Sequence, residues 1–170
     1  GLPVFVAPAR GAGGVRVTDW ADLDEAVALA RRTDQKVIVS AAPYGREIQC
    51  GVLEYPDGRV DSSLPAEIRD TENAEDACEF DIPAKLPDDV ILRVRELAVR
   101  AFRALNCQGL ARVDVRVAPD DTITVHELNT MPGFDPNSSY PKMWAVTGVD
   151  GPTLLTTLVE TALARGTGLR

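Results

Sequence analysis

Between Leu110 and Leu128 the chain alternates apolar and polar residues in two runs, Leu110–Val117 and Thr122–Leu128, joined by Pro119-Asp120-Asp121. A period of two marks a strand, and a Pro-Asp-Asp break between two such runs predicts an antiparallel hairpin. Side chains two apart on a strand share a face. Arg112 therefore joins Asp114, and Glu127 joins Asn129. The shortest hairpin sets Asp114 opposite Glu127 and Arg112 opposite Asn129, with Val113, Val115 and Leu128 turned to the core. Two carboxylates, an amide oxygen and a guanidinium then converge on one patch. Facing carboxylates repel unless something positive lies between them. Hard oxygen ligands of this kind suit Mg²⁺, which takes one or two carboxylates together with substrate phosphates. Arg112 would then meet an anionic group as it transfers. The plain alternative is a solvated polar face, because half-exposed antiparallel sheets alternate in the same way.

The flanking segments predict an α+β or mixed α/β domain. Val4–Val6, Val15–Val17 and Lys36–Val39 read as strands, with a Gly-rich turn from Pro8 to Gly14. Thr18 or Asp19 can cap a helix whose inner face is Leu23, Val27 and Ala30. Arg46–Glu54 and Arg59–Ser63 flank Pro56-Asp57-Gly58 as a hairpin. Ala66–Lys85 is acidic and irregular and reads as a mobile loop over a cleft, with its acidic stretch Asp70–Glu79 solvated. Pro87-Asp88-Asp89 opens the strongest helix, with Val90, Val94, Leu97, Ala101 and Leu105 inward. Met131–Tyr140 reads as a loop, and Gly151–Arg165 as a last amphipathic helix using Leu154, Leu155, Leu158 and Leu163.

With 170 residues the chain can bury a core without staples. Its net charge of −8 and pI of 4.7 argue against a nucleic-acid backbone binder. Cys50, Cys78 and Cys107 form no Cys-x-x-Cys pair, which fits reduced thiols and a cytoplasmic setting. No apolar run reaches transmembrane length, so no membrane partner is expected. The opening Gly1-Leu2-Pro3-Val4-Phe5-Val6 lacks signal-peptide features and reads as a strand already inside a domain, hence as a fragment, a processed product or a truncated paralogue. The single histidine, His126, faces away from Glu127 and Asn129 on the expected strand and reads as a packing residue. Thr130 stands where a zincin motif would need a second histidine. Trp20 and Trp144 read as packing anchors.

The run Gly109-Leu110-Ala111-Arg112-Val113-Asp114, followed by His126-Glu127-Leu128-Asn129-Thr130-Met131-Pro132-Gly133-Phe134, resembles the C-terminal signature of D-alanine–D-alanine ligases, members of the ATP-grasp superfamily. The resemblance continues through Tyr140-Pro141-Lys142-Met143-Trp144 and the last helix, and upstream at Gly45-Arg46-Glu47 and Pro83-Ala84-Lys85. It implies an ATP-grasp fold, with 1–65 in the ATP-clasping part, 66–85 a shortened lid and 86–170 the metal- and substrate-binding part. It implies ATP and Mg²⁺, or Mn²⁺ in its place, and ligation of D-amino acids through an acyl phosphate in cell-wall precursor synthesis. Asp114, Glu127 and Asn129 would hold the metal against the ATP phosphates. Arg112 would steady the transferring group. Ser138 and Gly133 would approach the second substrate. Glu47 would meet the ribose, and Ala42, Pro43 and Glu127 would belong to the nucleotide site. A separate N-terminal ligase domain is the implied partner.

Several positions depart from that pattern. Ala7 stands where the family strand carries a phosphate-binding lysine, and Ser40 where it usually carries a glutamate. The turn Arg10–Gly14 is short and lacks hydroxyls, and Ala66–Lys85 lacks the lid lysine. Asp135-Pro136 replaces a pair of small hydroxyl residues. Each lost charge-assisted phosphate contact would cost about 1.5–3 kcal/mol. The departures leave room for a second reading, a truncated or degenerate relative that binds metal, nucleotide or a protein without catalysis.

Overall fold

The computed structural model describes residues 1–11, 13–42, 44–69 and 79–165, and the chain divides into two compact units, Gly1–Tyr44 and Gly45–Arg170. In the first unit, β1 (Val4–Pro8) lies between β2 (Val15–Val17) and β3 (Val37–Ala41), with both pairings antiparallel. Asp19 accepts a hydrogen bond from Ala21 N at 3.0 Å and caps a 3₁₀ turn that leads into α1 (Leu23–Ala30). The helix buries Ala26 and Ala30 on Val4, Val6 and Val17. Leu23 and Val27, expected on the inner face, flank that stripe half-buried. Trp20 is 56% exposed and does not anchor packing as the sequence suggested, because it sits in the capping turn ahead of the helix.

The second unit is built on an antiparallel sheet in the order β7-β6-β4-β8-β9, with β5 also paired to β4. Its strands are β4 (Arg46–Glu54), β5 (Val60–Ser62), β6 (Ala66–Arg69), β7 (Glu79–Asp81), β8 (Leu110–Val117) and β9 (Ile123–Asn129). The segment Ala66–Lys85, expected to be an irregular loop, therefore contains the strands β6 and β7. Glu67 pairs with Asp81 and Ile68 with Phe80, and Arg46–Glu67 and Arg69–Asp81 ion pairs tie the strands. Charged positions on short edge strands hide the apolar alternation from the sequence. The acidic stretch and Cys78 lie outside the described residues over 70–78.

Helix α2 (Asp88–Ala104) covers one face of the sheet. Asp88 and Asp89 sit in its first turn, where the helix end is positive. Val90, Val94, Ala98 and Phe102, each four apart, pack on Ile48, Cys50, Val52, Val113 and Val115. The expected Leu97 and Ala101 flank this stripe, and Leu105 is 64% exposed because it lies past the last helical residue. Burial pushes the Cys50 thiol up to about 12.

The opposite face is covered at one end by α3 (Ser139–Thr147) and α4 (Gly151–Arg165), around Leu53, Tyr140, Trp144 and Leu154. Helix α3 was not expected from the sequence, which reads as loop through Tyr140. Pro141 is tolerated in its first turn, where no backbone N–H is needed, and Gly148 at φ 102° ends it. Helix α4 has its expected limits, and of its expected inner face Leu154 is buried and Leu158 packs against the same cluster, while Thr157 and Thr161 complete the buried stripe in place of Leu155 and Leu163. Leu155 and Leu163 are exposed, at 54% and 75%. Thr161 can be buried because its hydroxyl donates to Glu54 O at 3.0 Å. Among the described residues no helix is long and apolar enough to cross a membrane.

Candidate functional site

Three cross-strand rows run over the face of β4, β8 and β9 that α2 does not cover. Glu47, Arg116 and Thr124 form one row; Gln49, Asp114 and Glu127 the next; Gly51, Arg112 and Asn129 the third. The expected facing of Asp114 with Glu127 and Arg112 with Asn129 is thus observed. The route to it differs from the shortest hairpin. The turn is a three-residue loop with Asp121 at φ 60°, in which Asp121 N donates to Ala118 O at 2.9 Å. On the turn side Val115 pairs with Val125 and Val117 with Ile123. That register alone would set His126 opposite Asp114. A bulge between Asp114 and Val115 inserts His126 as the extra residue and restores Glu127 to that place. His126 is consequently exposed, not packed in the core as the alternation suggested.

The charged groups of this face satisfy one another. Asp114 is 4% exposed. Its two oxygens accept from Arg112 Nε and Nη2, both at 2.8 Å, in a bidentate pair. That pair, with Glu127 and Glu47 adding to it, holds the Arg112 guanidinium above its usual range. Arg116 Nη2 donates to Glu47 Oε2 at 2.5 Å. Asn129 Oδ1 accepts from Met131 N at 2.8 Å, and Glu127 is exposed. Among the described residues no three His, Cys, Asp or Glu side chains gather into a metal cage. A cation here would rely on two carboxylates and the Asn129 amide. Arg112 and Met131 N use only part of the lone pairs of Asp114 and Asn129, so a hard oxygen set remains for a divalent ion.

Beside the rows lies a cleft of ≈ 330 Å³ lined by Gln49, Ile68, Phe80, Arg112, Gly133 and Ser138, among others. The sheet and α3 approach closely here because position 51 is glycine. A Cβ on Gly51 would stand 2.9 Å from Trp144 Nε1 and 3.2 Å from Tyr140 Cε2. Tyr140 donates to Val52 O at 2.8 Å, which ties α3 down further. Ser139, the first residue of α3, donates to Gln49 Oε1. Gln49 and Ser139 are buried cleft residues that sequence reasoning missed. A lone glutamine in the apolar stretch Ile48–Leu53 of β4, two residues after Glu47, was the available signal.

The structure brings Arg112, Asp114, Glu127, Asn129, Glu47, Ser138 and Gly133 into one unit. Ala42 belongs to the other, where its N–H donates to Pro3 O at 3.0 Å, and Pro43 lies outside the described residues.

Residues 1–160 match the family model described as the D-ala D-ala ligase C-terminus. The D-alanine–D-alanine ligase of Nocardia farcinica is 57% identical over 185 residues, covering 100% of this chain and 51% of its own length. The solved D-alanine–D-alanine ligase of Coxiella burnetii matches with a TM-score of 0.81 and 33% identity, over 95% of this chain and 45% of that one. The VanG D-Ala:D-Ser ligase of Enterococcus faecalis matches with a TM-score of 0.82 and 30% identity, over 94% and 49%. This chain spans about half the length of the curated relatives it matches. All three are named ligases, which lends no support to the non-catalytic reading. With its antiparallel α+β sheet, its Arg-x-Asp and Glu-x-Asn strands in register and these matches, the chain belongs to the D-alanine–D-alanine ligase family, as its C-terminal part.

Proposed function

We propose that this chain is the ATP- and metal-handling half of a ligase that joins a D-alanine carboxylate to the amine of a second D-amino acid. The observation that carries the reading is the pair of facing rows, Asp114 with Glu127 and Arg112 with Asn129. Asp114, Glu127 and Asn129 are the residues that would hold Mg²⁺, or Mn²⁺ in its place; such an ion would neutralise phosphate charge. Arg112 lines the cleft and points a permanent cation at it, suited to an anion that develops during transfer. In the reaction the γ-phosphoryl of ATP moves to the first carboxylate. The second amine then attacks the acyl carbon, and phosphate leaves. Gln49, Ser139 and the α3 N-terminus shape the cleft in which the second substrate would lie. Glu47, already paired with Arg116, and Ala42 with Pro43 are the proposed nucleotide contacts. The N-terminal half of the relatives is the proposed partner for binding the first D-alanine. A cytoplasmic setting follows from those substrates.

Calorimetry with Mg²⁺-ATP tests the nucleotide half. Binding that vanishes in both Asp114→Asn and Glu127→Gln is the expected result. Absence of binding at millimolar nucleotide, or binding untouched by both substitutions, would overturn it. Phosphate release dependent on D-alanine after an N-terminal ligase half is added tests the ligation itself.

A further inference from the structure

Two arginine–carboxylate pairs lie on the uncovered face of β4, β8 and β9, and they are built differently. Arg112 closes a fork on Asp114, with Nε and Nη2 each 2.8 Å from a separate oxygen. Arg116, on the same strand, reaches Glu47 Oε2 through Nη2 alone. Its Nε is buried and, among the described residues, has no acceptor. Glu47 Oε1 likewise takes part in no hydrogen bond among the described residues. The Arg116 and Glu47 side chains are 24% and 31% exposed, so the pair borders solvent. A pair that served packing alone would satisfy both partners as a fork. The single contact instead leaves one oxygen of Glu47 open on the site face.

Glu47 also depends on Arg116 for its counter-charge. Glu47 stands in the row next to Asp114 and Glu127. Arg112, whose guanidinium feels both Glu47 and Glu127, is committed to Asp114. Without Arg116, the nearest positive charges for Glu47 would be Arg112 and any ion in the row of Asp114. Arg116 stands directly across from Glu47 on the neighbouring strand, with Thr124 on its other side. It therefore keeps the carboxylate in its own row.

We propose that Arg116 is a positioning residue for nucleotide recognition: it fixes Glu47 so that the carboxylate accepts from the ribose hydroxyls of a nucleoside triphosphate. An ionised carboxylate only accepts. The polyphosphate of such a ligand also offers no donor, whereas the ribose carries adjacent hydroxyls that do. Each carboxylate oxygen has two lone pairs, so Oε1 keeps both and Oε2 keeps one beside the bond from Arg116. The two oxygens can then take vicinal hydroxyls together, and holding the carboxylate in place beforehand lowers the cost of ordering it. Arg116 acts through Glu47 and not on the ligand. The inference rests on the reading of Glu47 as a nucleotide contact.

The test is calorimetry of the whole chain with the Mg²⁺ complexes of ATP, 2′-deoxy-ATP and inorganic tripolyphosphate. ATP should bind about tenfold tighter than 2′-deoxy-ATP, the worth of one hydrogen bond to a charged group. Arg116→Met should lower that ratio to about twofold and leave tripolyphosphate binding within about twofold of its starting value. Arg116→Gln makes the same measurement where the apolar variant fails to fold. Arg116→Lys, which can still donate to Glu47, should restore most of the ratio. Glu47→Gln should lower the ratio as Arg116→Met does, and the two together no further, because both act on one contact. An unchanged ratio in the Arg116 variants, or equal weakening of all three ligands, would overturn the inference while leaving the nucleotide reading intact. So would equal binding of ATP and 2′-deoxy-ATP to the unsubstituted chain. Absence of binding of either nucleotide at millimolar concentration would overturn the nucleotide reading and the inference with it.

Discussion

Removing Arg112 should cost more stability than neutralising the carboxylate it holds. In Arg112→Ala, Asp114 keeps its charge but loses both 2.8 Å hydrogen bonds. Its side chain is only 5% exposed, and Glu127 stands across the strand as a like charge. Breaking a buried pair from one side costs about 3–5 kcal/mol. The Arg112 side chain is 21% exposed and borders a cleft that water can enter, which lowers the expectation to about 2–4 kcal/mol. Asp114→Asn leaves the cation instead, on the wetter side of the pair, and an amide still accepts one of its donors. That loss should be about 1–2 kcal/mol. The double substitution should fall well short of the sum, because it strands no charge. Urea unfolding followed by Trp144 fluorescence measures all three. A Trp20→Phe background makes Trp144, which is 1% exposed in the second unit, the single reporter. Mg²⁺ should rescue part of the Arg112→Ala loss by taking the place of the guanidinium. A metal at tenfold its dissociation constant returns about 1.4 kcal/mol. A loss of under about 0.5 kcal/mol in Arg112→Ala, or a larger loss in Asp114→Asn, would refute the view that an unpaired buried carboxylate dominates this site.

Other outcomes can be checked on the same protein. Gly51→Ala should destabilise by about 1–3 kcal/mol, since the new methyl meets Trp144 and Ser63 at 2.9 and 3.1 Å; a loss of ordered near-UV signal from Trp144 would accompany it. Phe102→Ala should cost about 3–5 kcal/mol in denaturant unfolding, because Phe102 is 2% exposed at the C-terminal end of the α2 stripe and is its largest side chain. Cys50 should resist alkylation in the native chain. Its folded pKa is raised, so the unfolded thiol ionises first. Stability should therefore fall as pH rises from about 8.5 toward about 12. Cys50→Ala should flatten that alkaline slope.

The parts of the fold that follow a period were legible. Leu110–Val117 and Gly151–Arg165 have the limits their sequence patterns suggest, and Val90 and Val94 point where helical spacing puts them. What escaped depends on contacts between distant segments. Helix α3 is short, begins with a proline in its first turn and lies against Gly51, so its own residues carry little pattern. Thr157 and Thr161 look outward by composition, yet Thr161 is held in by a carbonyl 107 residues away in sequence. At the site, the shared face of Arg112 and Asp114 was legible from their spacing. Their pairing with each other was not, because spacing says nothing of which partner a carboxylate takes when several are offered. Gln49 was hidden because its polarity is answered by Ser139, on an element the sequence did not reveal.

The extra residue at His126 works in the β8–β9 ladder as a dislocation works in a crystal: it lets two stretches that are out of step by one unit coexist in a single strand. The turn-side stretch takes its phase from the Pro119–Asp121 loop, and the far stretch from the row holding Asp114. The two phases are thereby decoupled. Deleting His126 would leave Val125 against Val115 and Glu127 against Asp114, with the defect annealed and both stretches in a common step. A hairpin of this kind can absorb a change of one residue in its loop at the defect rather than at the charged rows, so the chemistry of the site is insulated from length variation at the tip.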